Sequence, residues 1–151
     1  MTTTIAQPTT AAVHTEQLTK VYGQGDTRVV ALDHATVDFR RGQFTAIMGP
    51  SGSGKSTLMH CAAGLDTPTE GRVAIGQVDA TSLNDKALTL LRRRRIGFIF
   101  QSFNLLPTMS ARENILLPLK LAHVKPDEEW FTTIVPVLGL AERLGHRPGE
   151  L

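Results

Sequence analysis

The stretch GPSGSGKST, residues 49–57, constrains this chain more than any other feature. Gly49, Gly52 and Gly54 are interleaved with Pro50, Ser51 and Ser53 and are followed at once by Lys55, Ser56 and Thr57. Glycine so dense costs conformational entropy and is retained where the backbone must take positive φ or approach a ligand closely. A phosphate chain makes both demands, because several backbone N–H groups must converge on it with no side chain in the way. The flanks fit that reading. Residues 44–49, FTAIMG, are almost continuously apolar, as a buried parallel strand would be. Residues 55–65, KSTLMHCAAGL, are helix formers with a stop at Gly64. A strand, a glycine loop and a helix N-terminus in that order form a seat for an anion. Lys55 adds a charge that reaches the β- and γ-phosphates, and the Ser56 hydroxyl is a ligand for Mg²⁺.

Other segments place this unit in a mixed α/β chain. Residues 13–23 read as a strand closed by a glycine turn. Ala35, Val37 and Phe39 alternate with Thr36, Asp38 and Arg40, the period of a half-buried strand. Residues 72–79 read as a short strand, and residues 96–101, IGFIFQ, as another that ends on Gln101. Ser82 with Asp85 is a candidate N-cap for a helix running to the arginines. Ser110 with Glu113 is a capping box for a second helix, which Pro118 should kink or end. A last helix starts near Pro126 with acids in its first turn, interrupted at Pro136 and stopped at Gly139. The expected domains are a disordered tail over 1–12, a nucleotide-binding α/β core over 13–100, and a helical portion over 101–151.

Net charge is +2 over 151 residues, and removing the four arginines at 92–95 would leave −2. The basicity is therefore one patch, and a net charge this mild does not by itself argue for nucleic acid, which is not an expected partner. The run reads as a solvated helix end, or else as a contact for an acidic partner or anionic lipid head groups. Cys61, the single cysteine, allows no internal disulfide and reads as a small apolar filler on a helix face. The N-terminus has no secretory pattern and no apolar run reaches a membrane span, so membrane association is expected through a partner.

The sequence closely resembles the ATP-binding subunits of ABC transporters over nearly everything after the tail. The resemblance rests on VYGQGDTRVVALD, GPSGSGKSTL with GLDTPTEGRV, IGFIFQSFNLLPTMSARENILLPL and GLAERLGHRPGEL. The wording around Tyr22 and FQSFNLLP is most similar to the subfamily of macrolide-export, lipoprotein-release and cell-division ATPases. The resemblance implies a P-loop NTPase (RecA-like) α/β core with an N-terminal antiparallel β subdomain and a partial helical subdomain, the sheet being incomplete. It implies ATP and Mg²⁺ as cofactors, held by Gly49, Pro50, Ser51, Gly52, Ser53, Gly54, Lys55, Ser56 and Thr57. Tyr22 would stack on adenine. Gln101 would be the Q-loop glutamine that contacts the metal and positions the attacking water, so Ser56 and Gln101 are the metal candidates. Phe103, Asn104, Leu105, Leu106 and Pro107 match the region that meets the membrane subunit. The implied partners are a transmembrane permease subunit and a second ATP-binding subunit, at the inner face of the cell membrane.

The sequence departs from the family after Glu150. The family signature begins Leu-Ser-Gly-Gly-Gln, and Leu151 matches only its first residue. The metal-organising Asp, the catalytic Glu and the switch His have no counterparts, since His14, His34, His60, His123 and His146 all precede the signature position. The expectation is an N-terminal fragment that binds nucleotide without turnover by itself. Without the strand bearing those carboxylates, residues 44–49 would present unpaired backbone and apolar side chains, giving low stability, aggregation or dependence on a partner. The alternatives are a nucleotide-binding module without transport activity, or another phosphate-loop enzyme such as a GTPase or kinase. The second is disfavoured by the β-rich region ahead of the loop and the lack of Asn-Lys-x-Asp.

Overall fold

A computed structural model of the chain describes residues 11–151, which divide into two compact units at Ile96 and Gly97. The expected core over 13–100 reached slightly further. The tail expected over 1–12 lies outside the described residues except for Ala11 and Ala12, which are already strand.

The first unit is built on an antiparallel sheet of order β2-β1-β3-β4. Strand β1 spans Ala11–Tyr22, β2 Val29–Arg40, β3 Glu70–Ile75 and β4 Val78–Asp79. Strand β1 is central, with Thr15 opposite Val37 on one side and Val73 on the other. The single strand expected over 72–79 is a hairpin, because Gly76 (φ 62°) turns the chain between the paired Ile75 and Val78. The β1–β2 ladder slips between Thr15 and Leu18, where Gln17 takes φ 47°, and His34 opposite takes φ 48°. A bulge strands backbone donors, and here threonines accept them. Gln17 N donates to Thr36 Oγ1 (3.0 Å), His34 N to Thr19 Oγ1 (3.2 Å) and Val37 N to the fully buried Thr15 Oγ1 (3.0 Å).

Two helices cover one face of this sheet. Helix α1 spans Lys55–Ala62 and α2 spans Asp85–Arg95. Leu18, Leu32, Cys61, Val73, Ile75 and Ala80 form the core, with Leu58 of α1 and Leu88 and Leu91 of α2 packed against it. Cys61 is the apolar filler expected, and burial pushes its thiol pKa up. The cap of α2 differs from the sequence reading. Asn84, not Ser82, accepts from Ala87 N (2.9 Å), while Ser82 closes a 3₁₀ turn over Ala80–Ser82. Asn84 is the more effective cap because it directly precedes the first helical residue.

Two strands read from apolar runs do not form. Residues 44–49 and 96–101 belong to no ladder, and Phe44, Met48 and Ile99 are 100%, 87% and 96% exposed. A parallel strand is stabilised by neighbours on both sides. The described strands pair only with one another, antiparallel, and none lies beside these runs in a ladder.

The second unit is helical. Helix α3 spans Ala111–Ala122 and α4 spans Glu128–Val137. The capping box forms: Glu113 N donates to Ser110 Oγ (3.2 Å) and Ser110 N to Glu113 Oε2 (2.8 Å). The Ser110 N–H, and after it the Ser110 hydroxyl, hold the Glu113 carboxyl below its ordinary pKa. The next orphan donors of α3, Ala111 N and Arg112 N, reach the carbonyls of His146 (2.8 Å) and Leu144 (3.0 Å). The helix runs through Pro118 instead of ending there. Pro118 has no N–H, so the Asn114 carbonyl loses its i+4 donor. Likewise Pro136 does not interrupt α4 but sits in its last turn, before Gly139 at φ 70°. Arg112 spans the helix pair, its guanidinium 4.7 Å from the Phe131 ring centre and 3.4 Å from Glu128. Among the described residues, no helix is long and apolar enough to cross a membrane.

Candidate functional site

The site begins at Gly54, which caps α1 in the left-handed conformation (φ 82°). A Cβ there would lie 2.2 Å from the Ala31 carbonyl oxygen of β2, so only glycine lets the loop rest against the sheet. Gly49 is tight in another way, as a Cβ would sit 2.8 Å from Ser53 Oγ. The loop is held by Ser53 N donating to Pro50 O (3.3 Å), and the helix starts with Leu58 N donating to Gly54 O (2.8 Å).

Lys55 turns back into the loop. Its ammonium donates to Pro50 O (2.6 Å) and Ser53 Oγ (3.5 Å). A full positive charge is thus placed inside a curl of backbone at the head of a helix, where the first amides point outward unpaired. The donor set is one cation, the leading amides of α1 and the hydroxyls of Ser56 and Thr57. It is complementary to a polyphosphate with a hard, oxygen-preferring cation.

Tyr22 lies beside this helix. Its hydroxyl donates to Asp66 Oδ2 (2.7 Å). Lys20, two residues earlier on the same strand face, donates to Asp66 Oδ1 (2.6 Å) and Thr67 O (2.7 Å), with its ammonium 4.9 Å from the Tyr22 ring centre. The hydrogen bond to Asp66 raises the Tyr22 pKa and burial adds to it, while the hydroxyl of Thr57 pulls the other way. That contact brings Tyr22 and the loop's last hydroxyl together. Burial pushes the Asp66 carboxyl up, but the hydrogen bonds from Lys20 and Tyr22 together with the lysine charge outweigh it, so its pKa is lowered. The same bond to Asp66 raises Lys20 against the opposing effect of burial.

Gln101 belongs to the second unit, in an irregular and exposed stretch. In that unit Phe103 is 91% exposed, and Leu105 and Leu106 are exposed as well. Their loop is pinned by Asn114, whose Oδ1 accepts from Leu106 N (2.7 Å) and whose Nδ2 donates to the carbonyls of Leu106, Met109 and Ser110 (3.1, 3.1 and 3.0 Å).

Sequence reasoning missed Asp66 and Asn114. Asp66 lies 44 residues from Tyr22, so no local spacing announces the pair. Lys20 was legible in principle, since residues two apart on a strand share a face. Asn114 reads locally as a helix residue, and only the fold brings the loop back to its amide.

Comparison with known proteins places these features. The pattern of the family described as "ABC transporter" matches residues 32–151. The lipoprotein-releasing system ATP-binding protein LolD of Granulibacter bethesdensis is 44% identical over 142 residues, covering 93% of this chain and 62% of LolD. The macrolide export ATP-binding/permease protein MacB of Brucella abortus is 44% identical over 141 residues, covering 92% of this chain and 22% of MacB. Among solved structures, the dimeric, post-hydrolysis ATP-binding cassette MJ0796 bound to ADP and Pi superposes with a TM-score of 0.79 at 39% identity. That match covers 92% of this chain and 62% of the cassette. The chain thus spans about three fifths of the length of its LolD and MJ0796 relatives. With the glycine loop, the antiparallel sheet it rests on and a match extending across 32–151, this chain belongs to the ABC transporter ATP-binding family.

Proposed function

We propose that this chain binds Mg–ATP at residues 49–57 as part of an ATP-binding subunit that drives a membrane permease. The observation that carries the proposal is the Lys55 ammonium held inside the glycine loop, at the head of α1. The amides around Gly49, Pro50, Ser51, Gly52, Ser53 and Gly54 would wrap the phosphates, and Lys55 would move from Pro50 O to the β- and γ-oxygens. Ser56 would ligate the metal, which neutralises phosphate charge. Tyr22, fixed through its hydroxyl, would offer a ring face to adenine. Thr57 would hold both the phosphate side and the Tyr22 side of the nucleotide.

The relatives support the partners. LolD is named as the ATP-binding protein of a lipoprotein-releasing system, MacB as a macrolide export ATP-binding/permease protein, and MJ0796 is a dimer bound to ADP and Pi. We infer a second ATP-binding subunit and a transmembrane permease, the latter met by the exposed loop at Phe103, Asn104, Leu105, Leu106 and Pro107, with the chain at the inner face of the membrane.

The test is calorimetric titration of the chain with ATP and Mg²⁺. Saturable binding is expected. Lys55→Ala should weaken it about tenfold or more, since a charge-assisted hydrogen bond contributes about 1.5–3 kcal/mol. Tyr22→Ala should weaken ATP but not tripolyphosphate. Equal binding by the parent chain and Lys55→Ala would end the proposal.

A further inference from the structure

A second cationic site lies in the first unit, apart from the glycine loop. A cavity of about 500 Å³ opens where the end of β2, the β3–β4 hairpin and the last turn of α2 meet. Arg41, Arg94 and Arg95 line it, with Gly76 and Gln77 of the hairpin, and among the described residues no carboxylate does. None of these three arginines forms an ion pair among the described residues.

The four-arginine run divides by task. Arg92 is used for structure, donating to Gly64 O (3.0 Å) and Thr89 Oγ1 (3.1 Å). Arg94 and Arg95 go instead to the cavity, where Arg41 arrives from a different element. The Arg41 guanidinium packs closely on the hairpin, within 3.2 Å of where a Gly76 Cβ would stand, so the glycine makes room for it. Three like charges gathered around one hollow repel each other unless an anion joins them. The α2 C-terminus supplies only about half a negative charge. Guanidinium forks match the oxygens of a phosphate group in a bidentate way.

We propose that this cavity binds a phosphate-bearing anion. The group could be carried by an anionic phospholipid of a membrane surface or by a free polyphosphate, and the two sources are separated by the probes. The experiment uses the full chain carrying Lys55→Ala, which weakens the glycine loop. It is titrated with tripolyphosphate, and separately with vesicles of phosphatidylcholine with or without phosphatidylglycerol. Saturable binding is expected to at least one probe, falling about tenfold or more in Arg41→Gln and in Arg94→Gln. Arg41→Lys, which keeps the charge and loses the fork, should fall in between. Arg28→Gln removes the same charge elsewhere and should leave binding within about twofold. Tripolyphosphate binding assigns the site to a free anion, and binding confined to phosphatidylglycerol vesicles assigns it to a lipid head group. Because Arg41 and Arg94 lie on separate elements, a folding defect in one variant leaves the other to report. No binding of either probe, or equal losses in Arg28→Gln and Arg94→Gln, overturns the proposal. Neither outcome depends on whether the glycine loop binds ATP.

Discussion

Val73 and Phe44 are both apolar residues in runs that read as strand, yet Val73 is 1% exposed and Phe44 is fully exposed. The difference is in what each run needs for pairing. Strand β3 meets β1 and its hairpin partner β4 in antiparallel register, and helices α1 and α2 close over the resulting face. Residues 44–49 and 96–101 have the composition of parallel strands, which require crossover partners brought from a distance. The first region is satisfied by neighbours within the described chain; the second is not. The glycine loop stands on the border between them. It is fastened to the satisfied side through Gly54 and β2, while its approach segment is on the other.

Core truncation separates the two regions most strongly. Leu18→Ala, at a fully buried position, should cost about 2–5 kcal/mol in urea unfolding. Phe44→Ser should change stability by no more than about 0.5 kcal/mol and should improve solubility, because it removes an exposed aromatic ring. Comparable losses in the two variants would mean that residues 44–49 are packed in solution and that the contrast is false.

The loop's attachment is the next largest effect. Gly54→Ala combines a left-handed backbone, about 1–2 kcal/mol, with a Cβ placed 2.2 Å from the Ala31 oxygen. It should displace the loop and reduce Mg–ATP affinity more than tenfold. Gly52→Ala meets open space at φ 79° and should show only the backbone cost, about 1 kcal/mol. Equal effects would show that contact with β2 does not hold the loop.

The part of the fold that sequence made legible is the part governed by local rules. The glycine loop, the alternation of Ala35, Val37 and Phe39, the Ser110–Glu113 box and the stops at Gly64 and Gly139 all follow from a few adjacent residues. Failures arose where pairing is remote or where the ladder is irregular. The apolar content of residues 44–49 spoke for a strand, but not for whether a neighbour stands beside it. The hairpin at Gly76, the bulge at Gln17 patched by threonines, and the link from Tyr22 to Asp66 depend on register and packing. At the candidate site, residue types were read from the motif, while the support beneath Tyr22 was invisible.

That support gives the next prediction. Asp66→Asn keeps the shape and removes the charge that Lys20 faces, and should cost about 1 kcal/mol at neutral pH for this partly exposed pair. The Asp66 pKa is lowered in the folded chain, so its contribution is full above the ordinary value of 3.8 and is lost as pH falls through the lower folded value. The Lys20 pKa is raised, so its contribution is full below 10.5 and is lost as pH rises through the raised value. Tyr22, whose pKa the same carboxylate raises, contributes fully only below 10.0, so the gap between parent and Asp66→Asn should be flat between about pH 4 and 10 and narrow at both ends. A gap independent of pH across that range and beyond would show that the ion pair contributes nothing.

The smallest effects test whether the two units keep their own caps. Ser110→Ala removes the acceptor for Glu113 N and should cost about 1 kcal/mol, confined to the helical unit that begins after Ile96. Asn84→Ala should cost about as much in the first unit, because its side chain accepts from Ala87 N. Ser82 reads equally well as a cap by spacing, but its hydroxyl only donates to Asp79 O in an exposed turn (2.9 Å). Ser82→Ala should therefore stay within about 0.5 kcal/mol of the parent. Hydrogen exchange of the first-turn amides resolves the three: protection should fall at Glu113 in one variant, at Ala87 in the second, and at neither in the third. Loss of Ala87 protection in Ser82→Ala would restore the cap read from sequence and place the start of α2 earlier in the chain.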